Sequence, residues 1–393
     1  MITNNNNTRN LAPAGTDGGS RSVKKNIVVI EGDGIGPEVT RQSVKVLNAI
    51  ADRFNHEFSY SYFLMGAIAI DKTGNPLPDE TIEASLNSDA ILFGAIGHPK
   101  YDNDPSAKVR PEQGLLKLRK SLQLFANIRP VTTYPSLHHL SPLKTKNIED
   151  VDFIIFRELT GGIYFGKKEI NADNTVASDD CVYTKEEIER IAHLAFKQAQ
   201  LRRKKLTLVD KANVLETSRL WRKVVQEIAK QYKDVAVDFL FVDNAAMQII
   251  LNPKQFDVIL TENMFGDIIS DEASVISGSL GLLPSASIGK GAALFEPIHG
   301  SYHQAAGKDI ANPVGSILSA AMMLEYLGMP KEAEHVRNGV LWTLQNRFVT
   351  KDIDSINFYF TSTIGELIAD FVSNKITGEV NQGNIELRKS TII

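Results

Sequence analysis

Short apolar runs recur along this chain, separated by stretches with helical spacing. Asn26–Ile30 (NIVVI), Ala90–Ala95 (AILFGA), Val151–Arg157 (VDFIIFR), Leu206–Val209 (LTLV), Val237–Val242 (VDFLFV) and Val258–Leu260 (VIL) predict buried β-strands. Between them the pattern predicts helices from Pro37 to about Phe54, within the segment after Arg110, over Lys185–Lys204, through Ile250, and after Asn263. Pro37 and Glu38 suit a helix start, because proline is pre-set for the first turn and a carboxylate favours it. Three more helices are predicted over Val314–Leu327, near Lys331–Gln345 and near Thr363–Ser373. Ile288–Pro313 is rich in turn formers and predicts a loop suited to enclosing a ligand. Strands alternate with helices throughout, so the class is α/β. No internal repeat is present.

Charged residues gather where these strands end. Arg157 closes one strand, Lys211 follows another, Asp243 follows a third, and the strand at Val258–Leu260 leads into a helix bearing Asp267 and Asp271. Residues four apart share a helix face, and like charges there weaken it by a few tenths of a kcal/mol. A divalent cation would offset that, since hard cations take carboxylate oxygens. A lone acidic pair is otherwise an ordinary solvated face, and a lysine such as Lys211 is otherwise an ordinary surface residue. Ligands of open α/β sheets bind beyond the carboxyl ends of strands, which predicts one polar site made of two cations and three carboxylates. Glu112, Leu115, Leu116 and Arg119 fall on a single helical stripe, offering an acid, two apolar side chains and a guanidinium; Leu115 and Leu116 could equally be core. Arg129 follows, just before Pro130.

The glycines at Gly32, Gly34 and Gly36 follow the first strand but are spaced G-x-G-x-G, one residue short of the dinucleotide fingerprint. Asp33 within them would repel a pyrophosphate. The turn therefore predicts a tight strand-to-helix connection and not a Rossmann fold.

Bulk properties narrow the function classes. A net charge of -4 gives no electrostatic case for nucleic acid, and a single cysteine, Cys181, excludes an intrachain disulfide and a cysteine metal site. A reducing, cytoplasmic setting fits. No apolar run reaches the roughly 18 residues of a membrane span. Residues 1–24, rich in Asn, Gly and Ser, predict a disordered tail outside the fold, and the polar stretch after Thr377 predicts fraying.

Longer motifs carry a resemblance. GDGIGPE, RPEQGLLKLRKSLQLFANIRP, RELTGGIYFG, DKANVL, VDNAAMQ, TENMFGDIISDEAS, GSLGLLPSAS and FEPIHGS, in this order over roughly Asn26–Leu327, resemble the isocitrate/isopropylmalate, or metal-dependent β-decarboxylating, dehydrogenase family. Leu115 and Leu116 stand where isocitrate dehydrogenases place small polar residues, and suit an isopropyl group. The resemblance implies a two-domain fold that is not Rossmann, with residues 25–124 and 279–393 in a cofactor-side domain and 125–278 in a dimerisation and metal-side domain. It implies a homodimer with shared active sites, acting on a small molecule, with no nucleic-acid or membrane partner.

The implied reaction is NAD-dependent oxidative decarboxylation of (2R,3S)-3-isopropylmalate to 4-methyl-2-oxopentanoate and CO₂, a step of leucine biosynthesis. Asp267 and Asp271 would bind Mg²⁺ or Mn²⁺ together with Asp243 of the partner subunit, which also lies at the substrate. Arg119, Arg129 and Arg157 would hold the two carboxylates, with Glu112, Leu115 and Leu116 lining the substrate. Lys211 from the partner would take the hydroxyl proton and Tyr164 would return a proton to carbon. Glu296, His299, Gly300, Ser301, Gln304 and Asn312 would bind the cofactor. Family members that use NAD commonly carry Asp at the position of Gln304; no Lys or Arg stands there to hold a 2′-phosphate, although His303 is adjacent and Lys308 nearby, so NAD is expected. Tartrate, homoisocitrate and longer alkylmalates remain alternative substrates, as does a non-catalytic regulatory subunit; a phosphoryl-transfer enzyme is disfavoured because the chain lacks a P-loop.

Overall fold

A computed structural model describes residues 22–104 and 107–375 of the 393-residue chain. The predicted disordered stretch up to residue 21 and the predicted fraying tail after Thr377 lie outside the described residues. Lys24, placed outside the fold by its polar neighbourhood, instead opens the first strand.

Twelve strands occur among the described residues. They are β1 (Lys24–Gly32), β2 (Glu57–Tyr62), β3 (Ala90–Ala95), β4 (Ala126–Thr132), β5 (Asp152–Glu158), β6 (Lys168–Ile170), β7 (Ala177–Asp179), β8 (Lys205–Asp210), β9 (Ala236–Phe241), β10 (Val258–Thr261), β11 (Pro284–Ile288) and β12 (Ala293–Pro297). Ten of them form one sheet in the order β2-β1-β3-β12-β11-β4-β5-β10-β8-β9. The first four are parallel to one another, as are the last four. Between the two parallel blocks, β11 and β4 form an antiparallel seam, with Ala286 opposite Ile128.

Helices cover both faces, so inner strands such as β3 are buried along their whole length and read as continuous apolar runs. On one face of the first block, helices Gly36–Phe54, Val314–Tyr326, Pro330–Gln345 and Thr361–Val372 pack into the largest core, including Leu47, Phe295, Leu324 and Val340. The second block is covered by helices Lys185–Leu201 and Glu216–Ala229 around Phe196 and Trp221. Helices Val242–Leu251 and Asn263–Ser274 cover its other face around Ile249, Ile259 and Ile269.

Several elements depart from the sequence expectation. The stretch Ile288–Pro313 is not all loop: β12 is fully buried between β3 and β11. Its apolar centre is only Ala293–Phe295, bounded by Gly291 and Pro297, too short to stand out from the turn formers. Pro130 hid β4, yet β11 pairs only with Ala126–Ile128, so the proline falls where β4 has run past that neighbour. Val242 starts a helix and does not end a strand. The exposed hairpin of β6 and β7 and helix Glu216–Ala229 were not anticipated.

The Gly32–Gly36 turn is packed against neighbouring backbone at its glycines. The buried Asp33 carboxylate accepts N–H bonds from Ala67 (2.9 Å), Ile68 (3.0 Å) and Gly97 (3.0 Å), occupying the N-terminus of helix Ala67–Thr73. Burial pushes its carboxyl up, against the pull of those three N–H bonds. The carbonyl of Ser301 accepts from Ile35 N–H at 2.8 Å and lies over Gly34. Gly34 has φ +58°, and a Cβ there would stand 1.9 Å from that carbonyl oxygen. Gly34→Ala is therefore expected to cost more than about 1 kcal/mol, read as a lower urea midpoint. A wild-type midpoint would contradict this packing.

Candidate active site

Arg157, at the carboxyl end of β5, is the centre of the polar cluster. Its side chain is 7% exposed. Nε and Nη2 both donate to Asn263 Oδ1, at 3.1 and 2.9 Å, and Nη1 donates to Asp267. The Tyr164 hydroxyl donates to the other oxygen of Asp267 at 2.7 Å, and its ring lies 5.8 Å from the Arg157 guanidinium carbon. Burial pulls the Arg157 pKa down to about 10, with Asp267 opposing the shift and Arg129 and Arg119 adding repulsion. Burial, then the bond to Asp267, pushes Tyr164 up to about 12. A tyrosine so placed keeps its proton at neutral pH.

The other two arginines converge on the same place. Arg129, from β4, donates to Asp271 at 2.7 Å, to Ser270 at 2.8 Å and to Asn127 at 2.9 Å. Arg119, from helix Pro111–Ser121, donates to Glu296 of β12 at 2.8 Å. Its Nε is out of solvent with no partner among the described residues. On that helix the buried leucine is Leu118; Leu115 is half-buried and Leu116 is 46% exposed. The core alternative for the pair thus fails for Leu116. Glu112 is exposed, with an oxygen 3.0 Å from where a Cβ on Gly97 would be.

Lys211 and Asp243 are not part of this cluster within one chain. They pair with each other, and that bond holds the Asp243 carboxyl below its usual range. The expected single site of two cations and three carboxylates is therefore two sites in one chain. The reason is strand order: β10 lies between β5 and β8, and β9 is one place further out. At ~4.8 Å per strand, Lys211 and Asp243 begin about 10 and 14 Å along the sheet from Arg157. Among the described residues no group of three His, Cys, Asp or Glu is close enough to hold a metal. The turn bearing Lys211 is rigid, because buried Asp210 accepts two 2.8 Å bonds from Arg222.

The expected cofactor residues divide. Glu296 is buried at the end of β12, and its carboxylate accepts from Arg119, 177 positions away. Asn312 is buried: its Oδ1 accepts from Val314 N–H at 3.0 Å and its Nδ2 donates to Asp352 at 3.0 Å. Within this chain its amide is held at the start of helix Val314–Tyr326 by these two bonds. His299 fits a ligand better: Nδ1 is 3.0 Å from the Gly300 carbonyl, and Nε2 is out of solvent without a partner among the described residues. Burial lowers its pKa, favouring the neutral ring. Open space lies over Gly300, and Gln304 is exposed beside it. Ser301 docks on Ile35 through its carbonyl. Sequence reasoning missed Asn263; the only signal was a polar residue directly after a buried strand.

The model of the isocitrate/isopropylmalate dehydrogenase family matches residues 26–368, and the chain belongs to that family. It is 53% identical over 348 residues to a 3-isopropylmalate dehydrogenase of Bacteroides fragilis, covering 88% of this chain and 98% of the relative. The 3-isopropylmalate dehydrogenase of Bacillus subtilis is 51% identical over 362 residues, covering 90% and 99%. Among solved structures, isocitrate dehydrogenase from Methylococcus capsulatus superposes with a TM-score of 0.80 at 36% identity, covering 89% of this chain and 99% of that one. A β-decarboxylating dehydrogenase from Thermococcus kodakarensis gives 0.75 at 35% identity, covering 91% and 100%. The fold is thus that of this family and not Rossmann.

Arg157 crosses the first turn of helix Asn263–Ser274 at Gly266, where a Cβ would stand 2.6 Å from Arg157 Cγ. Alanine favours a helix over glycine by about 1 kcal/mol, whereas forced overpacking costs about 1–3 kcal/mol. The clash should win, so Gly266→Ala is expected to lower the melting temperature. A raised melting temperature would show that Arg157 does not lie there.

Proposed function

We propose that this chain carries out the NAD-dependent oxidative decarboxylation of 3-isopropylmalate to 4-methyl-2-oxopentanoate and CO₂, in the cytoplasm, as a step of leucine biosynthesis. The observation that carries this reading is the convergence of Arg119, Arg129 and Arg157 near Tyr164 and Asp267, with Leu116 exposed on the helix that carries Arg119. Three guanidiniums suit a substrate with two carboxylates, and an exposed leucine suits its isopropyl group. The 3-isopropylmalate dehydrogenases at 51–53% identity support the same substrate.

In this reading Arg119, Arg129 and Arg157 bind and orient the two carboxylates. Glu296 holds Arg119, and Leu115 and Leu116 receive the alkyl group, with Glu112 at the rim. Lys211 of the partner subunit accepts the substrate hydroxyl proton. Tyr164, about half exposed and donating to Asp267, delivers a proton to the carbon that loses CO₂. Asp267 and Asp271, one turn apart on one helix face, would hold Mg²⁺ or Mn²⁺ with Asp243 of the partner subunit. When bound, such an ion would supply Lewis-acid polarisation of the substrate. His299 Nε2, Gly300, Ser301 and Gln304 would receive NAD, which supplies the hydride acceptor; the unpartnered Nε2 and the open space over Gly300 fit such a group.

The partition 25–124 with 279–393 against 125–278 is proposed as two domains meeting at the β11–β4 seam. A homodimer formed by the second of them is supported by exposed apolar side chains on its helices and hairpin, among them Met247, Leu251, Ile268, Val275, Ile170 and Val176. No helix of the described residues is long and apolar enough to cross a membrane.

A panel of 2-hydroxy acids assayed with NAD⁺ and Mn²⁺ tests the substrate. 3-Isopropylmalate should give the highest kcat/KM, and a better rate with tartrate, homoisocitrate or isocitrate would sink the assignment. Faster turnover with NADP⁺ than with NAD⁺ would overturn the cofactor. Tyr164→Phe should lower kcat by about 10²–10⁴ with KM little changed. The Tyr164 hydroxyl sits above the ordinary tyrosine range, raised by desolvation and by its bond to Asp267, so it should remain protonated at neutral pH; loss of an alkaline limb near pH 9 in Tyr164→Phe would contradict its role as a standing donor. Glu296→Gln should raise the KM for the hydroxy acid by about tenfold and leave the calorimetric Kd for NAD⁺ unchanged. The opposite pattern would assign Glu296 to the cofactor.

A further inference from the structure

Asn263 opens helix Asn263–Ser274 and is 1% exposed. Its backbone N–H donates to the Tyr183 hydroxyl at 2.9 Å. Its side chain forms a second link, besides Asp267, between Arg157 and the turn that carries Tyr164. Oδ1 accepts from both Nε and Nη2 of Arg157, and Nδ2 donates to the carbonyl of Gly161 at 3.3 Å. Gly161 directly precedes the short 3-10 turn Gly162–Tyr164, which carries the Tyr164 hydroxyl to Asp267. One amide thus holds the guanidinium from the end of β5 and the turn that presents the phenol.

We propose that Asn263 is a positioning residue for the reaction, setting the rotation of the Arg157 guanidinium and the placement of Tyr164; the inference rests on the roles given above to those two residues. Two donors of Arg157 converge on one oxygen, so the plane of the guanidinium is fixed and its Nη1 side is left for Asp267. The residue type follows from the same bonds. Only a carboxamide offers, at this reach, an oxygen for two donors and an N–H for a carbonyl. Aspartate would keep the acceptor, but its second oxygen would face the Gly161 carbonyl with no proton between them. Alanine would leave a buried guanidinium short of two hydrogen bonds and a buried carbonyl short of one.

Two substitutions separate the two duties. Asn263→Ala loses both, and should raise the KM for 3-isopropylmalate about tenfold or more and lower kcat about tenfold or more. Asn263→Asp keeps the bonds to Arg157 and loses the bond to Gly161, so KM should stay within about threefold while kcat falls about tenfold. The calorimetric Kd for NAD⁺ should be unchanged in both. A merely structural role would lower thermal stability without this split between KM and kcat. Arg157→Lys and Tyr164→Phe are measured alongside. If those two impair turnover and the folded Asn263→Asp enzyme has wild-type kcat, the positioning role is wrong. If Arg157→Lys and Tyr164→Phe are themselves silent, the underlying assignment of the site fails first. Should Asn263→Ala not fold, the kcat of Asn263→Asp decides alone.

Discussion

A guanidinium buried at the end of a central strand sets the terms for the rest of this site. Taking a cation such as Arg157 out of water costs several kcal/mol, and leaving it unpaired would cost about 3–5 kcal/mol. The surroundings are arranged to offset that. Gly266 leaves room for the side chain to cross the helix, Asn263 accepts from one edge and Asp267 from the other. The helix and β5 are locked together by these bonds, and Tyr164 joins the arrangement through Asp267. A residual cost remains, visible in the lowered pKa of Arg157 and in the pressure from Arg119 and Arg129. Three like charges brought this close are a poor structural choice but a good receptor for a dianion.

The antiparallel seam explains how the three arginines meet. Arg157 lies at a strand's carboxyl end, the usual place for a ligand contact in an α/β sheet. Arg129 lies mid-strand on β4, opposite Ile155, because β4 runs the other way. Arg119 arrives from a helix of the first block and is fixed by Glu296 at the end of β12. Both halves of the sheet therefore contribute to one cleft. A relative movement of the halves would change the spacing of the guanidiniums directly.

What could be read from residues alone follows from how each feature is encoded. Strands buried on both faces, such as β1, β3, β5, β8 and β10, announce themselves as apolar runs with charged residues beyond them. The seam strands do not: β4 contains Pro130, β11 opens on Pro284 and carries serines, and β12 is five residues long. Site residues carried in long motifs were legible as a resemblance, but their partners were not. Nothing local links Glu296 to Arg119, or Asn312 to Asp352. The grouping of Lys211 and Asp243 with Arg157 failed because strand ends are equivalent until strand order is known. That failure is informative, since it leaves Lys211 and Asp243 as a pair two to three strands along the same edge of the sheet from Arg157.

In the proposed homodimer, Lys211 and Asp243 of one chain would complete the Arg157–Tyr164–Asp267 cluster of the other. Mixing two inactive variants, Lys211→Ala and Tyr164→Phe, under conditions of subunit exchange tests this directly. With shared sites, each mixed dimer contains one site with both native residues, so an equimolar mixture should recover about a quarter of wild-type turnover. No recovery after verified exchange would mean that each chain uses its own Lys211, and the account would be wrong.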